Sequence, residues 1–144
     1  FSDISRRRRV LYGSDPFAAM AISKEALVAR LRQVLLNLLL RLRYAFALRN
    51  ESAEQLTQIL ADSVSPLRAS ASAFLEMRGV AFESPKQALE LVAAGIRADG
   101  FKMSLCVVSE AREGKTFPLD EIKRALSDVL ELTSLMKEQI KSLV

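Results

Sequence analysis

The C-terminal segment carries the strongest constraint on the fold. Leu119, Ile122, Leu126, Val129, Thr133, Met136, Ile140 and Leu143 recur at steps of three and four residues without a miss, which places them all on one stripe of an α-helix. A stripe of about seven turns is stable only when something covers it. The spacing therefore predicts a helix over about 118–143, packed either inside a bundle of the same chain or against a second copy as a coiled coil. Leu and Ala dominate the remainder, with five Gly, four Pro and no Trp, so the covering elements are helices rather than strands.

The other helices have readable starts. Ser23 is placed as an N-cap with Glu25 in the first turn, opening a helix over about 24–49 that stops near Asn50. On a wheel of 100° per residue, Leu27, Leu31, Val34, Leu35, Leu38, Leu42 and Ala45 form one broad apolar face. Arg30, Gln33, Asn37 and Arg41 make a polar stripe on one side of it, and Arg32 with Arg43 makes another. Leu36 and Leu40 fall between those stripes, out of reach of a bundle core, and read as a second contact surface. Ser52 with Gln55 forms a capping box. The apolar positions Leu56, Leu60, Val64, Leu67, Ala71, Phe74 and Leu75 keep helical spacing through Pro66, so one helix over about 53–78, kinked at Pro66, is expected, with Gly79 as its stop. Ser84, Pro85 and Gln87 start a short helix over about 85–95. Residues 101–108, FKMSLCVV, fit strand alternation as well as helical spacing; a lone strand would lack a ladder partner. The fold class is all-α, a bundle of about five helices.

A chain of 144 residues holds one ordinary domain. The absence of His excludes Ser-His-Asp and Cys-His mechanisms and any histidine metal site within it. Cys106, the only cysteine, forms no internal disulfide, fits a reducing, cytoplasmic setting, and is expected as a small core residue of an apolar run. The serines at 63, 65, 70 and 72 have no base nearby and read as helix-packing residues. No apolar run reaches about 18 residues free of charge; the nearest, VLLNLLLRLRYAFAL (34–48), carries Asn37, Arg41 and Arg43. No catalytic or metal-ligating set is assigned.

Arginine is the one positive signal. Residues 1–50 hold ten Arg and Lys against three Asp and Glu, whereas residues 51–144 hold eleven against fourteen, so +7 and −3 make up the net +4. Arg30, Arg32, Arg41 and Arg43 are candidate phosphate or carboxylate binders through bidentate guanidinium contacts, or else border residues whose stems cover the apolar face. The run Arg6 to Arg9 has no interleaved aromatics, and autonomous nucleic-acid binding is the weakest reading, because the rest of the chain is net acidic.

The order RRRRVLYGSDPFAAMAI (6–22), then LLLRLRYAFAL (38–48), then SVSPLRASASAFLEMRG (63–79) resembles the region that follows the catalytic domain in bacterial nucleotidyltransferase-like proteins. The likeness covers most of residues 6–79. It implies an irregular linker over 1–22 leading from an upstream domain, and a helical domain over 23–144 similar to the substrate-binding or HEPN-like domains found beside nucleotidyltransferases. Gly13-Ser14 is not the nucleotidyltransferase signature, because no D-x-D pair follows to hold Mg²⁺. The R-x4-6-H motif of catalytic HEPN nucleases is absent as well. The resemblance thus implies a chain that is not an enzyme by itself: an accessory, substrate-binding domain lending Arg side chains to a cleft shared with the upstream domain, where Mg²⁺ and a nucleoside triphosphate would bind. The alternative is a helical interaction or homodimerisation module using the C-terminal apolar seam of 119–143 and the Leu36/Leu40 patch.

Overall fold

The structure, a computed structural model, describes residues 7–16, 18, 21–48 and 52–143. Asn50 and most of the Phe17–Met20 stretch of the expected linker lie outside them. Five helices make up the bundle among the described residues: α1 (Lys24–Leu48), α2 (Ala53–Met77), α3 (Pro85–Ile96), α4 (Lys102–Arg112) and α5 (Leu119–Lys141), with no strand. Residues 102–108 belong to the helix that ends at Arg112, with Phe101 as its N-cap, so the strand alternative is discarded.

Each start signal acts as its chemistry requires. The hydroxyls of Ser23, Ser52 and Ser84 accept from the backbone N–H of Ala26 (3.1 Å), Gln55 (3.3 Å) and Gln87 (3.2 Å), each satisfying one orphan donor of a first turn. The end of α2 is equally explicit. Gly79 takes φ +70°, its N–H donates to the Glu76 carbonyl, and the Val80 N–H donates to the Leu75 carbonyl at 2.9 Å. Those two bonds close the helix in a Schellman turn, which needs the left-handed residue in the middle. Pro66 sits inside α2; it has no N–H to give the Asp62 carbonyl, yet the flanking apolar positions hold the helix continuous.

α2 is the hub, touching α1, α3, α4 and α5. Its Leu56, Leu60, Val64, Leu67 and Ala71 have no exposed surface, and neither do Ile122, Leu126, Leu132, Thr133 and Ile140 of α5. The regular stripe of α5 is thus covered within the chain, by α1, α2 and α4. The inner face of α1 is rotated slightly from the sequence expectation: Val28 and Leu39 are buried, while Leu27 and Val34 are half-buried. Cys106 departs from expectation outright, since it is exposed. Phe101, Leu105 and Val108, at steps of four and three, fix the buried side of α4, and Cys106 lies about 100° from Leu105 on the wheel. Of the four serines in α2, Ser63, Ser70 and Ser72 are buried as packing residues; Ser65 is exposed and has another partner, described below.

Before α1 the described backbone from Arg8 to Asp15 is irregular, turning at Gly13 with φ +76°. Arg8 closes that turn: its Nε donates to Asp15 Oδ2 at 2.9 Å and its Nη2 to the same carboxylate at 2.5 Å. The Asp15 hydrogen bond raises the Arg8 pKa above its ordinary value. One member of the arginine run is therefore engaged in local structure.

Candidate functional site

The four arginines singled out in α1 are all exposed, but they do not converge. Residues two positions apart on a helix point about 200° away from each other, so Arg30 with Arg41 and Arg32 with Arg43 occupy opposite flanks. Arg41 lines a shallow groove between α1 and α2 with Leu40, Tyr44, Gln58, Ile59 and Asp62. Between the flanks, Leu36 is half-buried, and Leu40, Tyr44 and Leu48 are 54%, 61% and 65% exposed. These residues, spaced by four, form an apolar stripe on the outer side of α1.

The densest positive charge lies elsewhere, where α2 passes α4 near the starts of α1 and α3. A cavity of about 910 Å³ there is lined by Arg7, Lys24, Arg68, Lys86 and Arg112, with Glu76 as the one carboxylate among the described residues. Its remaining walls include Ile22, Leu27, Ala73 and Met77. The neighbouring cavity of about 570 Å³ between α3 and α4, onto which Cys106 opens, sets Glu90, Asp99, Glu110 and Glu113 against Lys86, Arg97 and Lys102. Four acids against three bases give that cavity no preferred sign of ligand. Five bases against one acid among the described residues give the first a net positive lining.

Two short frames of one pattern meet at its edge, contributing Ser65, Arg68 and Arg112 to its lining. SPLR (65–68) in α2 and SEAR (109–112) in α4 are both S-x-x-R, which stacks the serine and the arginine of each on the same helix face. The helices then cross-link: Arg68 Nη2 donates to Ser109 Oγ at 3.1 Å, and Arg112 Nη1 donates to Ser65 Oγ at 2.7 Å. The Arg68 pKa is pushed below its ordinary value, first by burial and then by the charge of Arg112; Glu90 and Glu113 pull the other way. Among the described residues neither guanidinium has an ion pair. Lys86, in the first turn of α3, also meets Arg68 and Ser109 around a small adjoining void.

Sequence reasoning missed this pair. Arg68 and Arg112 lie 44 positions apart, and S-x-x-R also occurs at Ser5–Arg8, so the frame alone carries no signal until the helices are placed side by side. Among the described residues no three Cys, Asp or Glu side chains gather as a metal ion requires, and no helix is long and apolar enough to cross a membrane. Compared with models of known families, with curated proteins and with solved structures, the chain matches none.

Proposed function

We propose that the chain is the non-catalytic helical accessory domain of a nucleotidyltransferase-like protein, docking an upstream domain on the outer side of α1 and lending Arg30, Arg32, Arg41 and Arg43 to the cleft between them. The observation that supports it is the α1 stripe. A bundle helix ordinarily buries one face and leaves the other polar, yet here Leu40, Tyr44 and Leu48 stand exposed beside arginines that have no partner among the described residues. Apolar area of that kind, rimmed by bidentate donors, suits a contact with another domain whose own surface or ligand is anionic. The likeness of residues 6–79 to the region after a nucleotidyltransferase catalytic domain suggests which domain that is.

The experiment is charge reversal, Arg41→Glu with Arg43→Glu, in a protein extended upstream through its natural reading frame. Nucleotide or acceptor binding should weaken while the helical circular dichroism stays the same; unchanged affinity discards the reading. The alternative, a homodimerisation module, rests on the exposure of Leu40. Light scattering separates the two, because a dimer of the 144-residue chain that dissociates on Leu40→Glu favours the alternative.

A further inference from the structure

We propose that the crossed pair Arg68 and Arg112 seats the phosphate of a small phosphate monoester, with Lys86 as the third cation and the apolar wall of the same cleft receiving the organic group. This site is separate from the outer side of α1 and does not depend on what docks there.

Charge gives the sign of the ligand. Two guanidiniums are held close enough for one to perturb the other, without a carboxylate bonded to either among the described residues. Glu90 and Glu113 oppose the repulsion, each more weakly than Arg112 drives it. An anion between the two arginines turns a mutual cost into two attractions.

Donor geometry gives the class. Each guanidinium has five N–H donors and uses one on a serine, and Ser65, which lines the cleft, accepts its bond with its oxygen and keeps its own O–H as a donor. Two planar forks, the Ser65 hydroxyl and the Lys86 ammonium offer more donors than the two oxygens of a carboxylate can accept. A phosphate monoester offers three terminal oxygens and about −1.5 to −2 charge at pH 7. The starts of α3 (through Ser84, Pro85 and Lys86) and α1 (through Lys24) border the same cavity, so both helix dipoles favour negative charge there.

Size and lining give the remainder. A cavity of about 910 Å³ exceeds what bare phosphate fills, and it lies in the range of small-molecule sites. Ile22, Leu27, Ala69, Ala73 and Met77 supply apolar surface away from the charges, which an organic substituent would cover. None of these residues is an aromatic platform for stacked bases, and this argues against a single-stranded nucleic acid.

The test is calorimetric titration of the full chain with phenyl phosphate, inorganic phosphate and benzoate. The expected result is saturable one-to-one binding of phenyl phosphate, with benzoate at least about tenfold weaker, since a bond to a charged group contributes on the order of 1.5–3 kcal/mol. Arg112→Met and Arg68→Met should each lose about tenfold, and Arg124→Met, at an exposed position of α5 outside this cavity, should lose nothing. Arg112 is exposed, so its variant reads the site even where Arg68→Met disturbs packing. The double variant Ser65→Ala with Ser109→Ala, which keeps both charges but cuts both cross-links, should also bind more weakly. Equal affinity for inorganic and phenyl phosphate would keep the arginine seat and assign it to free phosphate. Absence of saturable binding, indifference to Arg112→Met, or an equal loss in Arg124→Met would overturn the proposal.

Discussion

Two glycines of similar appearance should respond to alanine with opposite sign. Gly79 and Gly95 both have open space where a Cβ would stand, with no atom within 4 Å, so neither substitution meets a clash. The difference is backbone. Gly95 lies inside α3, where alanine removes the glycine entropy penalty, and Gly95→Ala should stabilise the domain by about 0.5–1 kcal/mol. Gly79 holds φ +70° at the close of α2. An L-residue there costs about 1–2 kcal/mol, and the stiffer unfolded chain returns about 0.4–1 kcal/mol of it. Gly79→Ala should therefore destabilise by about 0.5–1 kcal/mol, leaving the two variants separated by about 1.5 kcal/mol. Urea denaturation followed by circular dichroism measures both, and in a domain of this size each kcal/mol moves Tm by roughly 3–4 °C. A Gly79→Ala variant as stable as the parent would refute the assignment of the α2 terminus to the left-handed turn.

Other expectations follow from burial and bonding. Leu126→Ala, at a position with no exposure, should cost about 2–5 kcal/mol, whereas Leu40→Ala, 54% exposed, should stay within about 0.5 kcal/mol; equal costs in denaturant titrations would contradict the orientation of α1. Ser70 Oγ is buried without a hydrogen-bond partner, so Ser70→Ala should leave stability unchanged or raise it by about 0.5–1 kcal/mol. A loss above about 1 kcal/mol in the same assay would show that the hydroxyl has a partner. Pro66→Ala restores the missing N–H within α2 and should raise stability, and with it the denaturation midpoint, by about 2 kcal/mol once the lost rigidity of the unfolded chain is subtracted. Cys106 is exposed, so a thiol reagent should modify it in the folded protein as fast as in urea; protection in the native state would return it to the core.

The architecture was legible because four of the five described helices, α1, α2, α3 and α5, announce themselves locally. Ser52 and Ser84 precede their helices by one residue, the apolar spacing of α2 runs undisturbed past Pro66, and the α5 stripe repeats without a gap. The FKMSLCVV segment was not, because eight residues satisfy both periods and only the neighbouring helices decide between them. Cys106 was misplaced for a related reason: an apolar neighbourhood in sequence says nothing of which side of a helix a residue takes until Phe101, Leu105 and Val108 are seen to be the buried ones. The arginines teach the same lesson about sites. Those of α1 draw attention by clustering along the chain, but helical geometry splits them between two flanks. Arg68 and Arg112 look ordinary in their own segments and are brought together only by the packing of α2 on α4.

The central position of α2 has a mechanical consequence. With each of the other four helices resting on it, no subset of the bundle retains a closed core once it is withdrawn, and the domain should melt as one calorimetric unit. A nick or insertion within α2 would then unravel the entire fold, whereas the loops joining the outer helices are the places to cut, lengthen or permute the chain.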